Sequence, residues 1–294
     1  MKDTPTPNAE KKGYLAEDFR IFYNLDRGAA QVPFHYHDFH KIFLLLKGEV
    51  TYAVEEKKYE LLKGDVILVP AGQIHRPLVE EKGEYERIIL YISDEFFKRM
   101  VPGEGDLSRL FAESSQNHSY LIRLTGQARK QLEGLCVHLR EAAADHSEYA
   151  GVSRRISASA LMLFLLRAET EAEEAGMIMS LEKQTENADI TAVIRYIQEH
   201  LTDPDLDIDE LAGYVARDRY YLMHLFKEET GYTIGQYMTL KRLFLARQLI
   251  DSGASATEAC FGSGFKNYSA YYYAMNKMRG RGKDRDLNSL KIKE

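Results

Sequence analysis

Cysteines and long apolar runs are both scarce in this sequence. The 294 residues include only two cysteines, Cys136 and Cys260, which are too few and too far apart for a disulfide framework or a zinc-finger spacing. The longest apolar runs, such as ALMLFLL at 160–166, are far too short to cross a bilayer. The opening MKDTPTPNAE has no apolar segment of the kind a secretory signal needs. These absences predict a cytoplasmic protein with no membrane partner.

Positive charge is in the minority overall, yet it is concentrated in one segment. The chain has 39 Lys and Arg against 45 Asp and Glu, a net charge of −6. Residues 217–283, in contrast, contain eleven basic and five acidic residues. A local excess of basic residues is the electrostatic footprint of a DNA-binding module. The acidic average therefore does not exclude a nucleic-acid partner.

The first third of the chain has the pattern of short β-strands. Within residues 19–92, the stretches KIFLLLKGEV, TYAVEEKKYEL, GDVILVPAG and YERIILYIS are rich in β-branched and aromatic residues and are separated by glycine or charged turns. Short strands at this spacing predict an all-β barrel or sandwich with antiparallel pairing.

A helical period replaces the strand pattern from about residue 94. Leu132, Leu135 and Leu139 mark one apolar stripe. The stretch 160–166 is apolar nearly all round, so it requires burial on more than one side, either within the chain or against a partner. The charged stretch 169–189 is predicted to be a linker.

Residues 190–286 are predicted to be helical throughout, with regular interruptions. One helix begins at Asp207, with Glu210 placed to bond back to it, and another ends at Gly231, a good left-handed cap. A longer helix follows, and the sequence then repeats the plan of short helix, turn and short helix. Two helix–turn–helix units of about twenty residues thus flank one longer helix.

This order resembles the AraC family of transcription regulators. The matching stretches are IRYIQEHL, DIDELA, YLMHLFKEETGYTIGQY, KRLFLARQLI and EACFGSGFKNYSAYYYAMNK, and they span roughly a hundred residues. The resemblance implies a DNA-binding domain with two helix-turn-helix units joined by a long helix. It also implies binding to duplex DNA, a homodimer, contact with RNA polymerase and a small-molecule inducer, possibly a sugar or an anion.

Helical spacing separates the predicted DNA-reading residues from the core. In RDRYYLMHLFK, the side chains of Leu222, Leu225 and Phe226 are predicted to pack inward. The outer face, predicted to contact DNA, then comprises Arg219, Tyr220, Met223, His224 and Lys227. In the second unit, Phe265 and Tyr271 are predicted to be buried. Its predicted DNA-contacting residues are Lys266, Ser269, Tyr272, Tyr273 and Lys277.

The stretches HYHDFHKIFLLLKG and GDVILVPAGQIH resemble the two cupin motifs. His35 and His37 alternate, so they point to the same side of a strand, and the resemblance implies that His75 joins them inside the barrel. Metal-binding cupins have a glutamate where this chain has Lys41. The ammonium removes one ligand and repels a cation.

Three interpretations of these residues remain open at this stage. Three histidines alone can hold zinc or iron, or the histidines are hydrogen-bonded structural residues. In the third interpretation, which we favour, His35, His37, Lys41 and His75 are polar contacts in a small-molecule pocket. Lys41 then favours an anionic or polyhydroxylated ligand, and no metal, cofactor or catalytic residue is expected.

The sequence as a whole predicts an α+β multidomain protein. A cupin-like antiparallel β-barrel (1–100) would sense the ligand, a helical dimerisation segment and linker (101–186) would follow, and an all-α double helix-turn-helix domain (187–294) would bind DNA. This describes a ligand-responsive regulator that is not an enzyme. The alternatives are a metal-dependent cupin enzyme with an accessory helical domain, and a protein-interaction module without DNA binding.

Overall fold

Strands are followed by helices along the chain. A computed structural model describes residues 10–11, 15, 17–27, 32–79, 83–99, 105–174 and 187–280. The strands are β1 (Glu10–Lys11), β2 (Phe19–Arg27), β3 (His35–Tyr36), β4 (His40–Lys47), β5 (Val50–Val54), β6 (Lys57–Leu61), β7 (Val66–Val69), β8 (His75–Val79), β9 (Glu84–Ile92) and β10 (Leu121–Ile122). The helices are α1 (Asp94–Lys98), α2 (Arg109–Gln116), α3 (Gly126–Ala144), α4 (Ala150–Glu174), α5 (Ala188–Glu199), α6 (Ile208–Tyr214), α7 (Arg219–Thr230), α8 (Ile234–Asp251), α9 (Ala256–Gly262) and α10 (Tyr268–Gly280).

The chain divides into two compact units: a strand-built unit (12–32 and 37–184), which contains α1–α4 and most of the strands, and a helical unit (1–11, 33–36 and 185–294), which contains β1, β3 and α5–α10. The strand-built unit has two sheets with the orders β8-β5-β6 and β10-β7-β4-β9-β2, and β1 pairs with β3 in the helical unit. The long pairings of β9 with β2 and with β4 are antiparallel, as predicted, whereas the two-residue pair β1–β3 is parallel. Most of the predicted linker (175–186) lies outside the described residues.

The predicted antiparallel β domain is present as two sheets, and in the part of the chain that the structure describes they are not joined into a closed barrel. Two of the sheet edges are unsuited to further pairing. At one edge β10 is only two residues long, and at another β6 carries Lys57 and Lys58. Very short edges and edge lysines both discourage further strand pairing.

Alternate positions of β4 face two different cores. Ile42 and Leu44 belong to a core shared with helices α1–α4. Phe43 and Leu45 belong to the core that also includes Tyr52 and other residues of β5–β7. Because successive side chains of a strand point to opposite faces, Lys41 shares the face of Phe43. It is buried there, with only 5% of its surface exposed.

Helices α3 and α4 pack on the first of these cores. Leu132 and Leu139 of α3 are buried, as predicted, while Leu135 is only partly buried. On α4, Leu161, Met162 and Leu165 are fully buried in the same core. Packing within the chain therefore covers one side of α4 and leaves an apolar stripe on its other side exposed.

Local capping residues define the helices of the second unit. The Asp207 side chain accepts a hydrogen bond from the backbone N–H of Glu210 (2.9 Å), and Gly231 ends α7 at φ 75°, both as predicted. The predicted return bond from Glu210 is wrong, because its carboxylate accepts from the Tyr196 hydroxyl instead (2.6 Å). That partner lies on a different helix, where local spacing does not reveal it.

The second helix-turn-helix unit makes a close backbone contact, at Gly264, with the loop between α5 and α6. Gly264 has φ +88°, and a Cβ there would lie 2.3 Å from the carbonyl oxygen of Leu201. Only glycine tolerates both the backbone angle and this approach. Arg242 of α8 donates to the same carbonyl (3.0 Å) and to that of Asp203 (2.6 Å). The turn, the long helix and the loop are thereby held together.

Within the described residues, no helix combines the length and the apolar character that crossing a membrane requires.

Candidate ligand pocket and nucleic-acid interface

Two of the candidate histidines lie together in the strand-built unit. The rings of His37 and His75 are 4.9 Å apart, and both residues are buried. His35, the third candidate, is also buried and belongs to the other unit.

A turn between β7 and β8 places His75 beside His37. The Gly72 N–H donates to the backbone carbonyl of His37 (2.8 Å), and the Gln73 N–H closes the turn on Pro70 (3.1 Å). Gly72 has φ +81°, which glycine adopts without steric cost. The two cupin-like motifs are therefore connected by backbone hydrogen bonds, independently of any ligand.

Backbone carbonyls orient two of the imidazoles. Nδ1 of His35 lies 2.8 Å from the carbonyl oxygen of Pro33, and Nδ1 of His75 lies 3.0 Å from that of Gln73. A carbonyl only accepts, so each Nδ1 is assigned a proton, and in the neutral ring the lone pair is then on Nε2. Such an Nε2 can accept a hydrogen bond from a ligand, and it can also bind a metal.

Lys41 lies close to the pair of His37 and His75. Its Nζ is 5.8 Å from the centre of the Tyr52 ring, and that ring stacks on His75 at 6.1 Å. Burial raises the pKa of Tyr52 well above its usual value, so its hydroxyl keeps its proton and can donate. These neighbouring side chains offer an ammonium, a phenol and imidazole nitrogens, a set suited to a polar or anionic molecule.

The first predicted reading helix, α7, has a buried side and an exposed side. Leu222 and Phe226 are fully buried, and Asp218 caps the helix by accepting from the N–H groups of Tyr220 and Tyr221. Leu225, which was predicted to pack inward with Leu222 and Phe226, is partly buried. Among the predicted contact residues, the exposed ones are Arg219, Tyr220, His224 and Lys227, whereas Met223 is partly buried.

The second predicted reading segment, α10 with Phe265 and Lys266 just before it, shows the same division. Phe265 and Tyr271 are buried, with ring centroids 5.4 Å apart. All five predicted contact residues are exposed: Lys266, Ser269, Tyr272, Tyr273 and Lys277. Nζ of Lys277 lies 6.0 Å from the centre of the Tyr273 ring, so its charge stays close to the aromatic surface.

Family models match both parts of the chain. A cupin domain matches residues 21–89 and a helix-turn-helix domain matches residues 211–281. The HTH-type transcriptional activator RhaS of Shigella sonnei is 25% identical over 248 residues, or 81% of either chain. YbfI of Bacillus subtilis, an uncharacterized HTH-type transcriptional regulator, is 23% identical over 249 residues, or 81% of this chain and 80% of its own.

The chain joins an N-terminal cupin domain to a C-terminal helix-turn-helix domain, and together with these relatives this supports a DNA-binding transcription regulator of the AraC type. The regulator is also similar to the solved structure of ToxT from Vibrio cholerae, with 12% identity and a TM-score of 0.36, over 91% of this chain and 94% of that chain.

Carboxylates of the regulator already pair with several of its basic residues. Arg219 lies 2.6 Å from Asp209 on α6, and Lys266 lies 2.9 Å from Asp205 in the loop before it. Sequence reasoning missed these pairs, since the partners belong to separate elements. Ion pairs between exposed side chains are weak and are screened by salt. Phosphates can therefore replace these carboxylates. The two acidic residues reduce the positive charge near Arg219 and Lys266 without cancelling it.

The exposed face of α7 also includes a residue that was not predicted. Tyr221 is 52% exposed and lies three positions before His224, so the two share a face of the helix. If only Leu222 and Phe226 had been assigned to the buried side of the helix, the sequence RDRYY would have predicted that Tyr221 is exposed.

Proposed function

We propose that this regulator binds a small anionic or polyhydroxylated molecule at His35, His37, Lys41 and His75 and alters transcription in response. It acts in the cytoplasm on duplex DNA, as a homodimer that contacts RNA polymerase, and it is not an enzyme. The proposed division is a sensor at 1–100, a dimerisation segment with linker at 101–186 and a DNA-binding domain at 187–294. The observation that carries the ligand assignment is a buried ammonium beside two buried histidines.

The charge of Lys41 favours a negatively charged or hydroxyl-rich ligand. Lys41 is buried, and an ammonium in a low-dielectric site attracts a carboxylate or a phosphate more strongly than it would in water. The histidine Nε2 atoms can accept hydrogen bonds from ligand hydroxyl groups. Tyr52 adds a donor and an aromatic wall. This set of groups would bind a compact polar molecule without any metal.

We expect Lys41→Glu to abolish the stabilisation of the regulator by anionic ligands and to increase its uptake of Zn²⁺. The substitution removes the attracting charge and supplies a fourth ligand beside three histidines. Thermal unfolding against a panel of organic acids and sugar acids, with metal content measured in parallel, tests both effects. Lys130→Glu, on the exposed side of α3, is the control and should change neither.

A metal-dependent enzyme is the second candidate function, and the orientation of His35 and His75 favours it. Metal-bound histidines usually donate their other ring N–H to a carbonyl or a carboxylate, as these two do. Lys41 opposes it by repelling a cation. If the natural protein, as purified, carries one metal per chain and turns over a substrate, the enzyme is correct and the sensor is not.

The exposed side chains of α7 are proposed to have different roles on DNA. We expect His224→Ala to alter the preference for one base position, because a lost base contact costs about 1–3 kcal/mol at that position. Lys227→Ala should weaken binding to every sequence alike, because it lies nearer the helix end and contacts a phosphate. Binding of both variants to a panel of single-base operator mutants distinguishes these effects. A folded His224→Ala variant that keeps the wild-type preference would show that α7 is misplaced on the DNA.

Helix α4 offers a surface for the proposed homodimer. Val152, Ile156 and Leu163 are 61%, 63% and 42% exposed, and their spacing of four and seven residues places them on one face, as in a two-stranded coiled coil. The opposite side of the helix is already buried in the core of its own chain. A second copy of α4 would cover this stripe by the same contacts on both sides.

We expect Ile156→Glu to convert the dimer into a monomer, because it places a charge in the centre of the stripe. The mass measured by light scattering should fall by half without a change in the circular dichroism spectrum. Leu62→Glu, which alters another exposed apolar side chain of the same unit, is the matched control. A dimer that persists in Ile156→Glu would place the interface elsewhere.

A further inference from the structure

A cavity lies between helix α3 and the sheet that contains β4 and β9. It has a volume of about 290 Å³, and its apolar lining includes Leu44, Leu46 and Leu132. Leu44, Leu132 and Cys136 of this lining belong to the core shared with helices α1–α4, whereas Lys41 lies on the opposite face of β4 from Leu44. The cavity is therefore distinct from the site of Lys41 and its neighbouring histidines.

Basic side chains surround the cavity. Lys63, Arg129 and Arg140 line it together with the carboxylates of Glu86 and Glu133. On α3 the two arginines are eleven residues apart, which is three helical turns, so both face the cavity. The rim thus has more positive than negative charge.

The ion pairs between the rim arginines and the rim carboxylates are long. Arg129 and Glu133 are 3.6 Å apart, and Arg140 and Glu86 are 3.7 Å apart, both longer than the 2.7–2.9 Å typical of a charge-assisted hydrogen bond. Glu86 instead accepts from the Tyr23 hydroxyl at 2.8 Å. Lys63 has no ion pair among the described residues. Each cation can therefore approach an incoming anion without breaking a strong contact.

Backbone features shape the mouth of the cavity. The pairing of β4 with β9 shifts register between Leu45 and Lys47, and such bulges redirect a side chain, here Leu46. Gly64, at φ +89°, donates its N–H to the carbonyl of Leu45 (2.7 Å), which anchors the turn that carries Lys63. The mouth is held by hydrogen bonds within the chain and does not need a ligand to form.

The wall of the cavity adds no further negative charge. Burial raises the pKa of the Cys136 thiol to about 11, so it is neutral at physiological pH and behaves as a small apolar group. Together with the leucines it favours the apolar part of a ligand, whereas the cationic rim favours an anionic part.

We propose that this cavity binds a small amphipathic carboxylate, a compact ring or short chain with one anionic group, as a second effector of the regulator. Its volume lies near the lower limit for small-molecule sites, about 300 Å³, which restricts the ligand to roughly one or two rings. Because α3 packs against α4 in one core, a ligand here bears on the helix pair that carries the proposed dimer stripe.

Calorimetric titration of the full chain with 1-naphthoate tests the proposal, with 1-naphthalenemethanol as the uncharged analogue. We expect one site per chain for the carboxylate. Arg129→Gln and Lys63→Gln should each weaken its binding roughly tenfold, since a hydrogen bond to a charged group is lost, while binding of the alcohol stays unchanged. Lys130→Gln, on the exposed side of α3, is the control. Thermal unfolding checks that each variant is folded.

Two results would overturn the assignment. One is wild-type affinity for 1-naphthoate in both Arg129→Gln and Lys63→Gln. The other is loss of binding in Lys41→Glu with no effect of the rim variants, which would place the carboxylate in the histidine pocket. Neither result bears on DNA binding, so this inference and the proposed function fail separately.

Discussion

A fourfold increase in salt, from about 50 to 200 mM, will weaken binding of the full-length regulator to duplex DNA roughly a hundredfold per chain. Four of the predicted contact residues are cations: Arg219, Lys227, Lys266 and Lys277. Each phosphate contact contributes about 0.9 to the slope of log affinity against log salt, so four contacts predict a slope of roughly −3.6. The acidic average of the chain does not prevent this, because exposed charges farther away than a Debye length, about 10 Å at 0.1 M salt, are largely screened.

Variants locate the origin of this salt dependence. Replacing all four basic residues by alanine should flatten the slope, whereas Lys130→Ala in the strand-built unit should leave it unchanged. Fluorescence anisotropy with labelled duplex at a series of salt concentrations measures both. A wild-type slope indistinguishable from zero would favour the protein-interaction module over a DNA-binding domain.

Phe226→Ala will destabilise the helical unit by about 3–5 kcal/mol, the range for deleting a buried aromatic side chain. Phe226 is fully buried, and its ring meets that of Tyr237 edge to face at 5.4 Å. Tyr237 lies on α8, the long helix that connects the two helix-turn-helix units. The substitution therefore removes a contact between α7 and α8. DNA binding should disappear together with the helical structure.

Leu225→Ala is the matched control on the same helix. Leu225 is only partly buried, so losing its side chain leaves a smaller cavity and should cost clearly less than the change at Phe226. Chemical denaturation followed by circular dichroism compares the two variants. Equal losses would mean that Leu225 also belongs to the core, contrary to its exposure in the structure.

The helical unit was largely predictable from the sequence because its signals are local. Asp207 and Asp218 begin their helices and Gly231 ends one, as their residue types and positions indicate. A cap depends on hydrogen bonds to backbone groups two or three residues away, so a short stretch of sequence contains all the information. The Glu210 prediction was wrong because the competing partner, Tyr196, lies on another helix.

The strand-built unit was less predictable. Strands were expected within residues 19–92, and the structure has them there, but β10 pairs with β7 from far along the chain and carries no distinctive pattern of its own. Whether two sheets close into one barrel depends on their edge strands. Those edges are known only once every strand has found its neighbours.

By itself the sequence determined the helix period, the caps, the basic segment and the residue types of both motifs, because each depends on neighbours within a few positions. Only the tertiary structure decided that His37 meets His75, that Arg219 pairs with Asp209, and that a cavity with a cationic rim lies behind the sheet. These contacts join residues brought together by strand register and helix packing, which arise from the summed burial of the whole core. No single stretch of the chain encodes them.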